Sequence, residues 1–303
     1  MTSPNKRDLG QYFTQDAVWL RPHIKDHLLR LRSTYISCVD PFAGDGHLLA
    51  LAGEMGFKTH GHDIDPGRCL ANGWGEATDS IRHVIHYTGG FVLTNPPYLA
   101  KNSAKRIKSP MVEYFSPGFV PEISLKDLNV LDDLFKLAIE RTVRVYDDSV
   151  WIVPESGIQD LDQLQSWKSM LHSITILEKN PFSDTEHPVC VMVFSKTKPL
   201  QEVWKNDTLL GTYDDLHRLH LQALAAPTSA VQMTFNDPNG SLGYRAVDGT
   251  KEDDSMRIKF CRGEELGYGR HRIKVSSRHL TYISTSVPDA MLDQVIDEAN
   301  RRI

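Results

Sequence analysis

A chain of 303 residues, 40% hydrophobic and 24% charged, can bury a full α/β core and still carry a second, smaller module. It holds no apolar run near the ~18 residues that a membrane span needs, and its opening MTSPNKRDLGQYF has no apolar stretch followed by a cleavage site. Membrane-spanning and secreted classes are therefore disfavoured, and a cytoplasmic enzyme is expected. The formal net charge of -5 means that any nucleic-acid surface must come from local charge. Cys38, Cys69, Cys190 and Cys261 form no C-x-x-C pair, which argues against zinc and against a disulfide framework, so no metal is expected.

In chain order, YISCVD (35–40) predicts a short strand that stops at a Pro and a Gly-rich turn, and HLLALAGEM (47–55) a helix. Residues 57–62 predict a second strand ending at Asp63, and FVLT (91–94) a third that runs into Asn95-Pro96-Pro97. The stretch 124–146 reads as one long amphipathic helix, started by Ser124 and Asp127 in a capping-box arrangement. VWIV (150–153) and ITILE (174–178) flank a helical stretch at 161–171, and VCVMVFS (189–195) closes the series. Strands alternating with helices imply an α/β fold, a mostly parallel sheet with helices on both faces. After Ser195 the texture changes. A linker, KTKPL, places the domain boundary between 198 and 199, and the C-terminal module ends in a helix over 289–302.

In an open parallel sheet, ligands bind at the carboxyl ends of the strands. VDPFAGDGHLL supplies a first turn for such a site: Asp40 ends the strand, and Gly44 and Gly46 let a cofactor approach the backbone. A dinucleotide fingerprint needs a third Gly where Leu49 stands, which disfavours NAD. Asp63, at the end of the second strand, is placed to accept from both ribose hydroxyls of an adenosine cofactor. In Asn95-Pro96-Pro97-Tyr98 the prolines stiffen the backbone, so the Asn95 side-chain oxygen and the Pro96 carbonyl can converge on one exocyclic amino group. Tyr98 offers a flat face for a planar substrate. His60 and His62 bracket Gly61 without a metal-ligand spacing, and packing at the strand end is the expected role.

Taken in order, GQYFT (10–14), DPFAGDGHLL (40–49), HDIDP (62–66), TNPPY (94–98), VWIVPES (150–156) and PFSDTEHPVCVMVF (181–194) resemble the γ group of amino-methylating DNA methyltransferases of restriction-modification systems. The resemblance covers residues 10 to 196. It implies a Rossmann-like catalytic domain over 1–198, a small target-recognition domain over 199–303, and S-adenosylmethionine as cofactor. Thr14 and Asp40 would contact its methionine end, with Pro41, Phe42, Gly44 and Gly46 around them. Asp63 and Ile64 would hold the ribose, and Asp79 the adenine amino group. Asn95 and Pro96 would bind the target amino group beside Pro97, with Tyr98 and Phe182 packing on opposite sides of the base. One departure is Gln15, where many relatives have Pro after the motif Thr. With no Pro-Cys nucleophile present, and Asn where cytosine-N4 enzymes carry Ser or Asp, the resemblance implies N6-adenine methylation of double-stranded DNA. A cognate restriction endonuclease would be a partner, the enzyme itself being a monomer or homodimer.

Two basic stretches are candidate DNA contacts. One is Lys101, Lys105, Arg106 and Lys108, read as a loop after Tyr98. The other is Arg257, Lys259, Arg262, Arg270, Arg272, Lys274 and Arg278 in the C-terminal module. An RNA adenine stays open as a target, because the tetrad sees only an amino group on a flat ring. Enzymes that methylate a protein glutamine carry a helical domain before the Gly-rich loop, for which the residues before Asp40 leave no room. A non-catalytic nucleic-acid-binding subunit has no physical need for the whole set of Asp40, Asp63 and Asn95–Tyr98.

Overall fold

The run DSVWIVP shows how the sequence builds the central layer. Trp151 and Val153 enter one apolar cluster and Val150 and Ile152 another, the period-two alternation of a strand buried on both faces. In the computed structural model the described residues are 17–119, 123–179, 181–182, 188–216, 233–235, 240–246, 258–263 and 280–302. The chain divides into two compact units, Met1–Arg218 and Leu219–Ile303.

The first unit holds an eight-stranded sheet in the order β2-β1-β3-β4-β6-β5-β7-β8. The strands are β1 (Ser37–Asp40), β2 (Lys58–Gly61), β3 (Gly90–Thr94), β4 (Asp148–Pro154), β5 (Leu171–Ile176), β6 (Val189–Ser195), β7 (Glu202–Lys205) and β8 (Thr208–Thr212). β2, β1, β3 and β4 run parallel, β6 is antiparallel to both its neighbours, and β8 is antiparallel to β7. This is the α/β, mostly parallel architecture expected. The helix Pro22–Leu31 starts with Pro at its first turn and buries Ile24, His27, Leu28 and Leu31, spacings that lie on one face.

Three expectations shift. β7 and β8 pair into the large sheet, so the first unit runs to Arg218 and the boundary expected after residue 198 falls later. The single helix expected over 124–146 is two, Leu125–Val130 and Leu134–Thr142. Ser124 does cap the first, accepting from Asp127 N at 3.1 Å. Asp133 caps the second with extended backbone at φ -137°, which no continuous helix can pass through. The helical stretch expected at 161–171 is likewise shorter, Gln165–Met170, and follows a 3₁₀ turn at Glu155–Asp160.

The second unit is a four-stranded antiparallel sheet in the order β11-β10-β12-β9, from β9 (Met233–Phe235), β10 (Leu242–Ala246), β11 (Ile258–Arg262) and β12 (Leu280–Thr285). Leu242, Ile283, Leu292 and Ile296 form its small core with the helix Leu292–Arg302. Asn300 brackets the Phe260 backbone, accepting from its N–H at 2.7 Å and donating to its carbonyl at 2.9 Å. Among the described residues, no helix is long and apolar enough to cross a membrane.

Candidate active site

Asp40 ends β1 and is 2% exposed. Its Oδ1 accepts from the Thr94 hydroxyl at 2.5 Å and from Phe42 N at 3.0 Å. Burial pushes the carboxyl up to about 7, against the opposing pull of those two donors. The turn that follows carries Gly44 at φ 55° and Gly46 at φ 81°, left-handed conformations that admit glycine at little cost. Asp63, past the end of β2, accepts from Gly44 N at 3.0 Å and from Asp65 N at 2.8 Å, so one carboxylate fixes both loops. Burial raises its pKa as well, opposed by the same amides. The neighbouring acid, Asp65, instead caps the helix Pro66–Asn72, accepting from Gly67 N at 2.7 Å.

Trp74 lies against the outer side of this turn. A Cβ at Gly61 would sit 2.5 Å from Trp74 Cε2, and one at Gly46 would sit 3.2 Å from the same indole. Gly61→Ala is therefore expected to destabilise the fold by about 2 kcal/mol through overpacking, with most of the loss recovered in Gly61→Ala/Trp74→Leu. Urea unfolding midpoints check this, and an unchanged midpoint in the single variant would remove the indole from its proposed buttressing role. His60 and His62 pack at the strand end as expected. The His60 ring stacks on Tyr87 at 4.3 Å, and His62 Nε2 lies 3.1 Å from the Tyr87 hydroxyl.

An open cleft of about 820 Å³ joins these parts at the carboxyl ends of the first strands. Asp40, Phe42, Gly44, Asp63, Ile64, Asp79, Asn95, Pro96 and Pro97, all singled out in the sequence, line it. Pro41 and Gly46 are not among its lining residues; Gly46 instead begins the helix His47–Glu54. Thr14 lies outside the described residues. The lining also includes Ile81, Met111, Tyr114 and Leu134, which sequence reasoning missed. Tyr114 donates to Asp79 Oδ2 at 2.5 Å, while Asp79 Oδ1 accepts from Ile81 N at 3.2 Å and Arg82 N at 3.0 Å. Met111 and Tyr114 belong to the 3₁₀ turn Pro110–Phe115, capped by Ser109. The Ser-Pro pair was a legible start signal, but nothing in the spacing tied it to the cofactor turn.

The tetrad leaves the end of β3 with Pro96 buried and Asn95 half-buried. The Tyr98 hydroxyl lies 2.5 Å from Asn95 Oδ1 and 2.6 Å from the Ile152 carbonyl of β4. Its single proton is shared between two acceptors. Tyr98 and Phe182 meet edge to face, with centroids 6.0 Å apart at 71°, and Phe182 is buried in the apolar cluster. The two rings expected as parallel walls around a base therefore touch each other, because the hydroxyl contacts hold Tyr98 inward.

The basic segment after Tyr98, expected as a loop, is a helix, Lys101–Ile107, that buries Ala104 and exposes Lys105 and Arg106; Lys108 follows, exposed, at φ 55°. Lys101 is half-buried. In the second unit Arg262, a candidate DNA contact, is paired with two acids. Its guanidinium donates to Asp293 Oδ1 at 2.7 Å and Oδ2 at 3.1 Å and to Asp289 Oδ1 at 3.0 Å, so two acids already neutralise it. Lys259 lies on β11, but its side chain lies outside the described residues, as do Arg257, Arg270, Arg272, Lys274 and Arg278 altogether.

No protein-family model matches the chain, and no curated protein matches it. Among solved structures it is similar to the methyltransferase subunit of a type I restriction-modification system from Streptococcus thermophilus. The identity is 13% and the TM-score 0.39, over 73% of this chain and 54% of that one. It is also similar to the 23S rRNA methyltransferase ErmE, at 8% identity and a TM-score of 0.35, over 72% of this chain and 80% of that one. This chain thus spans about half the length of the first. Likeness at this level does not reach substrate or mechanism.

Proposed function

We propose that the chain transfers a methyl group from S-adenosylmethionine to the N6 amino nitrogen of an adenine in DNA. The observation that carries this reading is the convergence of Asp40, Asp63 and Asn95-Pro96-Pro97 on one cleft at the carboxyl edge of the sheet. The residues fit the cofactor. A buried carboxyl held near 7, bonded to a hydroxyl and an amide, suits an ammonium group, and Asp63 suits a ribose diol. Ile64, Ile81 and Met111 supply apolar walls at the end where Asp79 stands. When bound, S-adenosylmethionine supplies an electrophilic methyl group on a sulfonium.

The chain's own part is orientation. The Asn95 side-chain oxygen and the Pro96 carbonyl, on adjacent residues that both line the cleft, are the proposed pair of acceptors for the amino group. Two acceptors on one amino group draw its lone pair out of ring conjugation and toward the methyl donor. A base in duplex DNA must leave the stack to reach this point, at a cost of a few kcal/mol that stacking on Tyr98 partly offsets.

Parallel incubations of tritiated S-adenosylmethionine with unmethylated plasmid DNA and with RNA, followed by digestion to nucleosides, test the reading. Label in N6-methyldeoxyadenosine supports it. Cofactor binding with label only in RNA, or in neither nucleic acid, overturns it. Lys105 and Arg106, exposed on the helix that follows the tetrad, are proposed phosphate contacts. Lys105→Gln/Arg106→Gln is expected to weaken DNA binding and to reduce the slope of log K against log salt by up to about 2. An unchanged slope would return this helix face to ordinary solvated surface.

A further inference from the structure

The break between the helices Leu125–Val130 and Leu134–Thr142 lies directly against the residues that follow the tetrad. Asp133 Oδ1 accepts from Leu99 N at 2.9 Å and from Phe135 N at 3.4 Å. Around it, Leu134 N donates to the Leu99 carbonyl at 3.3 Å, Lys101 N donates to the Asp132 carbonyl at 2.8 Å, and Ala100 and Asp133 form an antiparallel bridge. Lys136 secures the clip from behind, reaching Asp132 and Asp160 at 2.6 Å each. Leu134, the next residue, lines the cleft.

A helix cap needs only an acceptor for an amide of its own first turn. Asp133 makes that contact at the longer distance and gives the shorter one to Leu99. Pro96 and Pro97 have fixed φ, so the backbone between β3 and Leu99 has few soft torsions left. Holding the Leu99 amide therefore restrains the direction of the Pro96 carbonyl and the Tyr98 ring. We propose that Asp133 is a positioning residue for the tetrad, its carboxylate tethering the backbone just after Tyr98 so that Asn95-Pro96 faces the cleft in one orientation. The inference rests on the proposed function in one respect, that the tetrad is where the reaction occurs. Burial raises the Asp133 carboxyl to about 7, so above that pH the tether is a charge-assisted hydrogen bond.

Two substitutions separate tether from cap. Asp133→Asn keeps an acceptor oxygen at the same reach, whereas Asp133→Ser keeps a helix-capping hydroxyl too short to serve Leu99 as well. Amide hydrogen exchange at pH 8 is the first readout. In Asp133→Ser the Leu99 amide is expected to exchange at least about tenfold faster while residues 134–142 stay within about threefold of wild type, and Asp133→Asn to fall between the two at Leu99 and to match wild type over 134–142. In the methyl-transfer assay Asp133→Ser lowers kcat about tenfold at unchanged cofactor Kd, and Asp133→Asn restores it. Unchanged exchange at Leu99 overturns the tether. Equal loss of protection along 134–142 overturns it too, leaving Asp133 a helix cap and no more. Exchange needs no substrate, so a wild-type protein that labels no DNA counts against the functional reading alone.

Discussion

Asn95→Ala is expected to lower kcat for methyl transfer by about a hundredfold to a thousandfold while leaving the Kd for S-adenosylmethionine within about twofold. In the proposed mechanism the side chain is an acceptor for the substrate's amino group, and its loss removes an interaction that strengthens as the amino nitrogen rehybridises. The fold has little reason to suffer. Tyr98 keeps the Ile152 carbonyl at 2.6 Å as partner for its hydroxyl proton. Single-turnover kinetics with calorimetry on the same preparation separates the two constants. Turnover at the wild-type rate would sink the mechanism, and a parallel loss of cofactor binding would move Asn95 from the substrate side of the cleft to the cofactor side.

The second large effect concerns acidity. Asp40 is charged only above about 7 when the cleft has no cation in it. Below that pH the carboxyl is neutral and a bound ammonium must first displace the proton, so affinity falls about tenfold per unit as the pH drops. Above about 8 the ligand's own α-amino group begins to lose its proton. Cofactor affinity should therefore rise through about 7, peak near 7.5 to 8 and decline again. Asp40→Asn should bind about a hundredfold more weakly at the optimum and lose the acid limb altogether. An acid limb that persists in Asp40→Asn would assign it to another group, with Asp63, whose pKa burial also raises, the next to test.

How much of this was legible in the sequence depended on how local the signal was. β1, β3 and β6 were readable because strands buried on both faces are short continuous apolar runs ended by turn residues. Asp40, Asp63 and the tetrad were readable because each sits where such a run stops. The broken helix was not. Leu128, Leu131 and Phe135 keep helical spacing across the gap, and only the tertiary contact between Asp133 and Leu99 decides that the backbone straightens there. Tyr114 and Met111 reach the cleft from a separate turn, a distance that no periodicity encodes. Tyr98 and Phe182 were expected on opposite sides of a base, and their direct edge-to-face contact was not legible, since the Tyr98 hydroxyl reaches a strand carbonyl at Ile152. The fate of Arg262 turned on two acids in the terminal helical segment, far from it in sequence.

β6 runs against its neighbours, and its first residue, Val189, pairs with Pro154, the last of β4. A reversed strand begins where a forward strand ends, so β6 starts at the rim where β4 ends, and Phe182 meets Tyr98 of the tetrad. The turns after β1 and β2, which carry Asp40 and Asp63, lie on the other side of β3. Asp40 and Asp63 on the one hand, and Phe182 on the other, thus come from separate stretches of chain on opposite sides of β3. If the proposed function holds, a change in the segment before β6 would alter the acceptor side of the site and leave the turns that carry Asp40 and Asp63 in place.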